Sequence, residues 1–170
     1  TLTTDTLAAR LDEAPFAVPF GEVVEVDREG LHGCRVTLRD GRQLRLRDGR
    51  AVSRRNRGIL VEDARFGKVE VDWSAFEKAT FRDAPGSGRG YDEYPALGPL
   101  CGTVVTTSGA AIDGRLVLDL DEAEGWELLD GRDRDLAYAI PLAAVSALAP
   151  QPGGGCVVTL AGGERLTLRG

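Results

Sequence analysis

The chain has 170 residues, 42% of them hydrophobic and 28% charged, with a formal net charge of −6. This composition excludes a disordered polymer, and no apolar run reaches the ~18 residues a membrane-spanning helix needs. The charge is unevenly placed: residues 1–85 carry 15 basic and 15 acidic side chains, residues 86–170 carry 6 and 12.

The sequence begins at Thr1 and contains no Met, which fits a removed leader, and so an exported or periplasmic protein, as well as it fits a trimmed chain. Residues 16–20 lead to a Pro step at Pro19, and a short turn and a returning strand through Val23 and Val26 are expected to follow. In 34–47, Cys34, Val36 and Leu38 alternate with Arg35, Thr37 and Arg39; Asp40-Gly41 reverses the chain, and Leu44 and Leu46 alternate with Arg45 and Arg47. Period-two alternation around Asp-Gly predicts a β-hairpin with one apolar side. Strands at 59–62 and 68–71 bracket a turn at 63–67. Residues 71–79 (VDWSAFEKA) echo the apolar spacing of Val18, Phe20, Val23 and Val26, so they too read as strand, turn and returning strand.

Residues 83–99 (DAPGSGRGYDEYPALGP) read as a linker between a first β unit, 1–82, and a second, 100–170. In the second unit, strands are expected at 103–107, 115–120, 126–129 and 136–140, with turns at 108–109, 122–125 and Asp130-Gly131. The last element is a hairpin, 156–169, reversing at Gly162-Gly163.

An internal repeat organises these elements. Residues 16–48 align without a gap on 138–170, at an offset of 122. The matches include Pro19/Pro141, Val23/Val145, Gly33/Gly155, Cys34/Cys156, Val36/Val158, Leu38/Leu160, Gly41/Gly163, Leu44/Leu166 and Leu46/Leu168. A duplicated unit with strands every 8–12 residues predicts an all-β chain, either tandem small barrels or a hairpin-rich sandwich with a pseudo-two-fold repeat. The run from GTVVTTSGAAIDGRLVLDL through LAYAIPLAAVSAL (102–148) resembles an SH3-like or Sm-like small barrel with its closing I-P-L-x-x-V step. Residues 34–81 are similar to a second such unit, and the VTLxDGRxLxL hairpin resembles repeat-containing bacterial proteins of unknown function. The resemblance implies a structural subunit, a binding or assembly module that carries no chemistry of its own.

The candidate sites follow from charge and from the rarer side chains. Nine Arg lie in 35–57 against only Asp40 and Asp48. Arg35, Arg39, Arg45 and Arg47 are expected on one hairpin face, continued by Arg50, Arg54, Arg55 and Arg57. This stripe suits an acidic protein surface, or the phosphates of a nucleic acid, although interleaved aromatics for base stacking are missing. The complementary surface is Asp119, Asp121, Glu122, Glu124, Asp130, Asp133 and Asp135; its spacing does not match a calcium loop, and solvated turns explain it. Tyr91 and Tyr94 in the linker are further contact candidates. His32, the single histidine, has no nucleophile motif to serve. Cys34, Cys101 and Cys156 lack zinc-ligand spacing; Cys34 and Cys156 are read as buried free thiols, with a disulfide across a pseudo-two-fold axis as the alternative. Trp73, Trp126, Phe16, Phe20, Phe76, Phe81 and Tyr138 are assigned to the core. The expectation is a non-enzymatic interaction module with no metal or cofactor. It would bind a protein partner or self-associate through its basic hairpin face and acidic second half, nucleic acid being the alternative.

Overall fold

The computed structural model describes residues 6–83 and 97–170. Among them there is no α-helix, only short 3-10 turns such as 20–22, 50–52 and 142–144. The chain is all-β, and every register given is antiparallel. The strands are β1 (Thr6–Leu11), β2 (Ala14–Pro19), β3 (Val23–Arg28), β4 (Gly33–Leu38), β5 (Gln43–Arg47), β6 (Ile59–Asp63), β7 (Gly67–Val71) and β8 (Lys78–Thr80). Further along the chain come β9 (Cys101–Val105), β10 (Ala111–Arg115), β11 (Leu128–Asp133), β12 (Leu136–Pro141), β13 (Val145–Pro150), β14 (Cys156–Leu160) and β15 (Arg165–Leu168). Among the described residues no sheet closes into a barrel.

Two compact units form, but not at the boundary that chain order suggests. Residues 60–70 leave the first unit, join the second, and the chain returns at Val71. The first unit is one six-stranded sheet, β2-β1-β5-β4-β3-β8. Its core gathers Leu7, Val18, Val23, Val26, Cys34, Val36, Leu38, Leu46, Val52, Trp73 and Phe76. The second unit holds a four-stranded sheet, β11-β12-β7-β6, a three-stranded sheet, β13-β14-β15, and the hairpin β9–β10. Ile140, Leu142, Val158, Leu160 and Leu168 are its most buried side chains.

The repeat is longer than the alignment shows. Every strand from β1 to β5 has a counterpart from β11 to β15 at the same offset of 122. The registers agree pair by pair: Thr6 opposite Pro19 and Leu128 opposite Pro141, Val26 opposite Val36 and Leu148 opposite Val158, Cys34 opposite Leu46 and Cys156 opposite Leu168. Even the irregularity between Val23 and Glu25 recurs between Val145 and Ala147, as does the single pairing of Arg10 with Arg47, matched by Arg132 with Arg169.

Several local expectations are corrected. The stretch 71–79 is no hairpin: β7 pairs with β12, whereas β8 pairs with β3. Between them the Asp72 carbonyl accepts the N–H groups of Ala75 and Phe76, both at 2.9 Å, which drops Trp73 and Phe76 into the first core with ring centroids 5.3 Å apart. Asp130-Gly131 lies inside β11, and the reversal comes later, at Arg134–Asp135. Gly131 packs under β15, where an added Cβ would lie 2.8 Å from the Leu168 side chain. Residues 116–122 form a turn in place of the expected strand, because the reversal at Gly109 (φ +86) puts β9 and β10 directly on either side of it.

Candidate basic and acidic surfaces

The Arg stripe divides into two parts with different electrostatics. Arg35 and Arg45 face each other directly across β4 and β5, an arrangement that repels unless countercharges are near. β3 supplies them. Asp27 and Glu29 reach Arg35 at 3.7 and 3.9 Å, and Glu29 reaches Arg45 at 3.5 Å. On the outer side Lys78 of β8 pairs with Glu25 at 2.9 Å and Asp27 at 3.3 Å. Arg39 donates to the Gly21 carbonyl at 2.6 Å and to Asp83 at 2.5 Å. The hairpin face is thus a neutralised network around Arg35, Arg39 and Arg45, with Arg47 outside it. Its acids were legible in the sequence as the alternation Glu25, Asp27, Glu29, upstream of the Arg run at 35–57.

The second part is the loop after β5. Gly49 sits against β1 so closely that a Cβ would lie 2.5 Å from the Ala8 carbonyl oxygen, and Val52 is fully buried beneath it. Asn56 ties the loop to itself: its side-chain amide donates to the Ala51 carbonyl at 2.7 Å, its Oδ1 accepts the Gly58 N–H at 2.8 Å, and its own N–H donates to the Ser53 carbonyl at 2.8 Å. A loop held from below in this way presents Arg50, Arg54, Arg55 and Arg57 outward, all exposed. Neither they nor the exposed Arg47 form an ion pair among the described residues. His32, Asp48, Arg50, Ser53, Arg54 and Arg55 line a cleft of about 330 Å³.

The acidic residues also divide. Glu124 is engaged, with Arg115 at 3.0 Å. Asp119, Asp121 and Glu122 bring carboxylate oxygens within 4.8 Å of one another. Desolvation, the hydrogen bond with Asp121 and the charges of Asp121 and Asp119 raise the Glu122 carboxyl above its ordinary value. Between them Leu120, at φ +69, is 92% exposed and forms the tip of the turn. Asp130, Asp133 and Asp135 lie instead on the β11–β12 hairpin. Tyr91 and Tyr94 fall outside the described residues.

The remaining candidates are quickly placed. The three thiols are free, so the disulfide alternative does not form. Burial, then the charges of Glu29 and Asp27, push Cys34 up to about 12; Cys101 is exposed. Trp126 is not a core residue: it is 62% exposed. Phe20 and Phe81 are about 40% exposed and pack against each other at 6.2 Å. No family model, curated protein or solved structure matches the chain.

Proposed function

We propose that the protein is a non-enzymatic interaction module that assembles through charge: the basic loop 47–57 of one copy receives the acidic turn 119–122 of another. The observation that carries this reading is the set of five exposed guanidiniums, Arg47 at the end of β5 and Arg50, Arg54, Arg55 and Arg57 on the loop after it, without an ion pair among the described residues, on a loop held by the hydrogen bonds of Asn56. The acidic turn supports it from the other side. Three crowded carboxylates repel one another, and a guanidinium placed among them relieves that repulsion. Leu120 at the tip gives the turn an apolar point to seat in the cleft beside Ser53. Contacts of this kind steer and select partners, and they weaken as salt screens them over ~10 Å at 0.1 M.

The test is the mass in solution by light scattering at low and moderate salt. Association that falls with salt is expected. R54E/R55E and D119R/D121R should each abolish it, and mixing the two variants should restore it. A monomer at both salts, or variants that associate like the parent, would overturn the reading. The cleft that groups His32 with three Arg also favours a second reading, binding of nucleic-acid phosphates. Its mark is a salt-sensitive gel shift with single-stranded RNA that R54E/R55E removes and D119R/D121R leaves intact.

A further inference from the structure

β3 and β13 are the same strand in the two copies of the repeat, yet among the described residues only β3 has a paired strand on its outer side. There β8 runs antiparallel, with Glu25 opposite Thr80, Val26 opposite Ala79 and Asp27 opposite Lys78. The Arg28 N–H donates to the Glu77 carbonyl at 2.9 Å and the Phe81 N–H to the Val24 carbonyl at 2.8 Å, so residues 24, 26 and 28 turn their backbone groups outward. Their counterparts in β13 are Ser146, Leu148 and Pro150. Among the described residues β13 pairs only with β14.

The exposure follows this difference. Val26 is 6% exposed in a core that includes Trp73 and Phe76 from the segment leading into β8, while Leu148 is 36% exposed. Val23 and Cys34 are buried, and Val145 and Cys156 are only partly so. Away from this edge the copies agree: Val36 and Val158 are both fully buried, as are Leu38 and Leu160 to within a few per cent. A groove of about 410 Å³ lies between residues 145–148 and Pro150 of β13 on one wall and β9, residues 101–105, on the other, so an incoming strand would enter beside β9.

We infer that the outer edge of β13 is a strand-addition site, which takes an uncharged extended segment of a partner protein in the place that β8 holds on β3. Charge selects the occupant. Glu25 and Asp27 hold Lys78, but their counterparts are Ala147 and Ala149, so a lysine at that point would meet no carboxylate. The edge also disfavours a second β13. An antiparallel pair centred on Leu148 would set Pro150, which has no N–H, opposite Ser146 and forfeit the bonds there. A foreign strand can donate to the Ser146 carbonyl as Phe81 does to Val24. This site shares no residue with the basic loop or the acidic turn.

The experiment uses the full chain and a synthetic peptide of residues 75–81 carrying E77A and K78A, with hydrogen exchange read at single amides. Saturating peptide should slow exchange of the Leu148 amide about tenfold or more. A second peptide keeps Lys78. In the A147E/A149D variant, whose substitutions are at exposed positions and recreate the charges of β3, the preference should reverse. The Lys78 peptide would then bind about two- to five-fold more tightly than the neutral one. Unchanged exchange at Leu148, or a preference indifferent to A147E/A149D, would overturn the inference. Loss of the salt-dependent association with Leu148 protection retained would sink the charge reading and leave this one standing.

Discussion

Gly67→Ala tests the least expected feature of the architecture, the transfer of the β6–β7 hairpin to the second unit. Gly67 has φ +68, and a Cβ there would lie 2.5 Å from the Ala139 carbonyl oxygen and 2.6 Å from Pro141 Cδ, both on β12. Two costs add. A left-handed conformation costs an L-residue roughly 1–2 kcal/mol, and forcing backbone apart costs roughly 1–3 kcal/mol more. Gly41→Ala isolates the first: Gly41 has φ +84 but nothing within 4 Å of its added Cβ. G67A should therefore destabilise by about 2–5 kcal/mol, and G41A by about 1–2 kcal/mol. Urea unfolding measures the totals, and hydrogen exchange locates the damage, with amides of β12 opening early in G67A alone. Equal losses in the two variants, or β12 protection unchanged in G67A, would refute the pairing of β7 with β12.

Three further outcomes are expected. At pH 8 a thiol reagent should modify the exposed Cys101 first and leave Cys34, whose pKa of about 12 keeps it protonated and whose side chain is buried, until the protein unfolds; rapid labelling of Cys34 in the native protein would contradict the packing. The Asp63 carboxylate accepts hydrogen bonds from the Arg65 side chain and from the Arg65 and Phe66 N–H groups at 2.8 and 3.2 Å, which lowers its pKa from 3.8 to about 2. Its stabilisation of the 63–67 turn is thus complete above pH ~4 and lost as pH falls through ~2; amide exchange in that turn followed down the pH scale checks this, and Asp63→Asn should flatten the dependence. Replacing Arg35 or Arg45 by Ala removes pairs that are partly exposed and should change stability by no more than about 1 kcal/mol while leaving association intact, in contrast to R54E/R55E; comparable losses of association would show that the hairpin face itself is used.

The hairpins at Asp40-Gly41 and Gly162-Gly163 were legible because their signals are local: period-two alternation and a turn residue that accepts positive φ. β1 was not. Its reversal runs through Asp12 and Glu13, both at positive φ without a glycine, so the Asp-Gly or Gly-Gly pair that marks those two hairpins is missing. The basic loop was visible as a run of Arg, but which Arg were free depended on β3 and β8 lying beside β4, a matter of pairing between distant segments. Trp126 illustrates the same limit, since its apolar character says nothing about whether a neighbour exists to cover it.

Alternation, turn chemistry and duplication, all properties of neighbouring residues or of self-comparison, were enough for the sequence alone to determine an all-β chain with a repeated unit. Only the tertiary structure decided which strand edges are shared. It sent β7 to β12 and β8 to β3, neutralised Arg35, Arg39 and Arg45 of the Arg stripe, and left the outer edge of β13 unpaired among the described residues. Those choices rest on backbone hydrogen bonds and close Gly contacts between segments far apart in the chain, which period and composition do not encode.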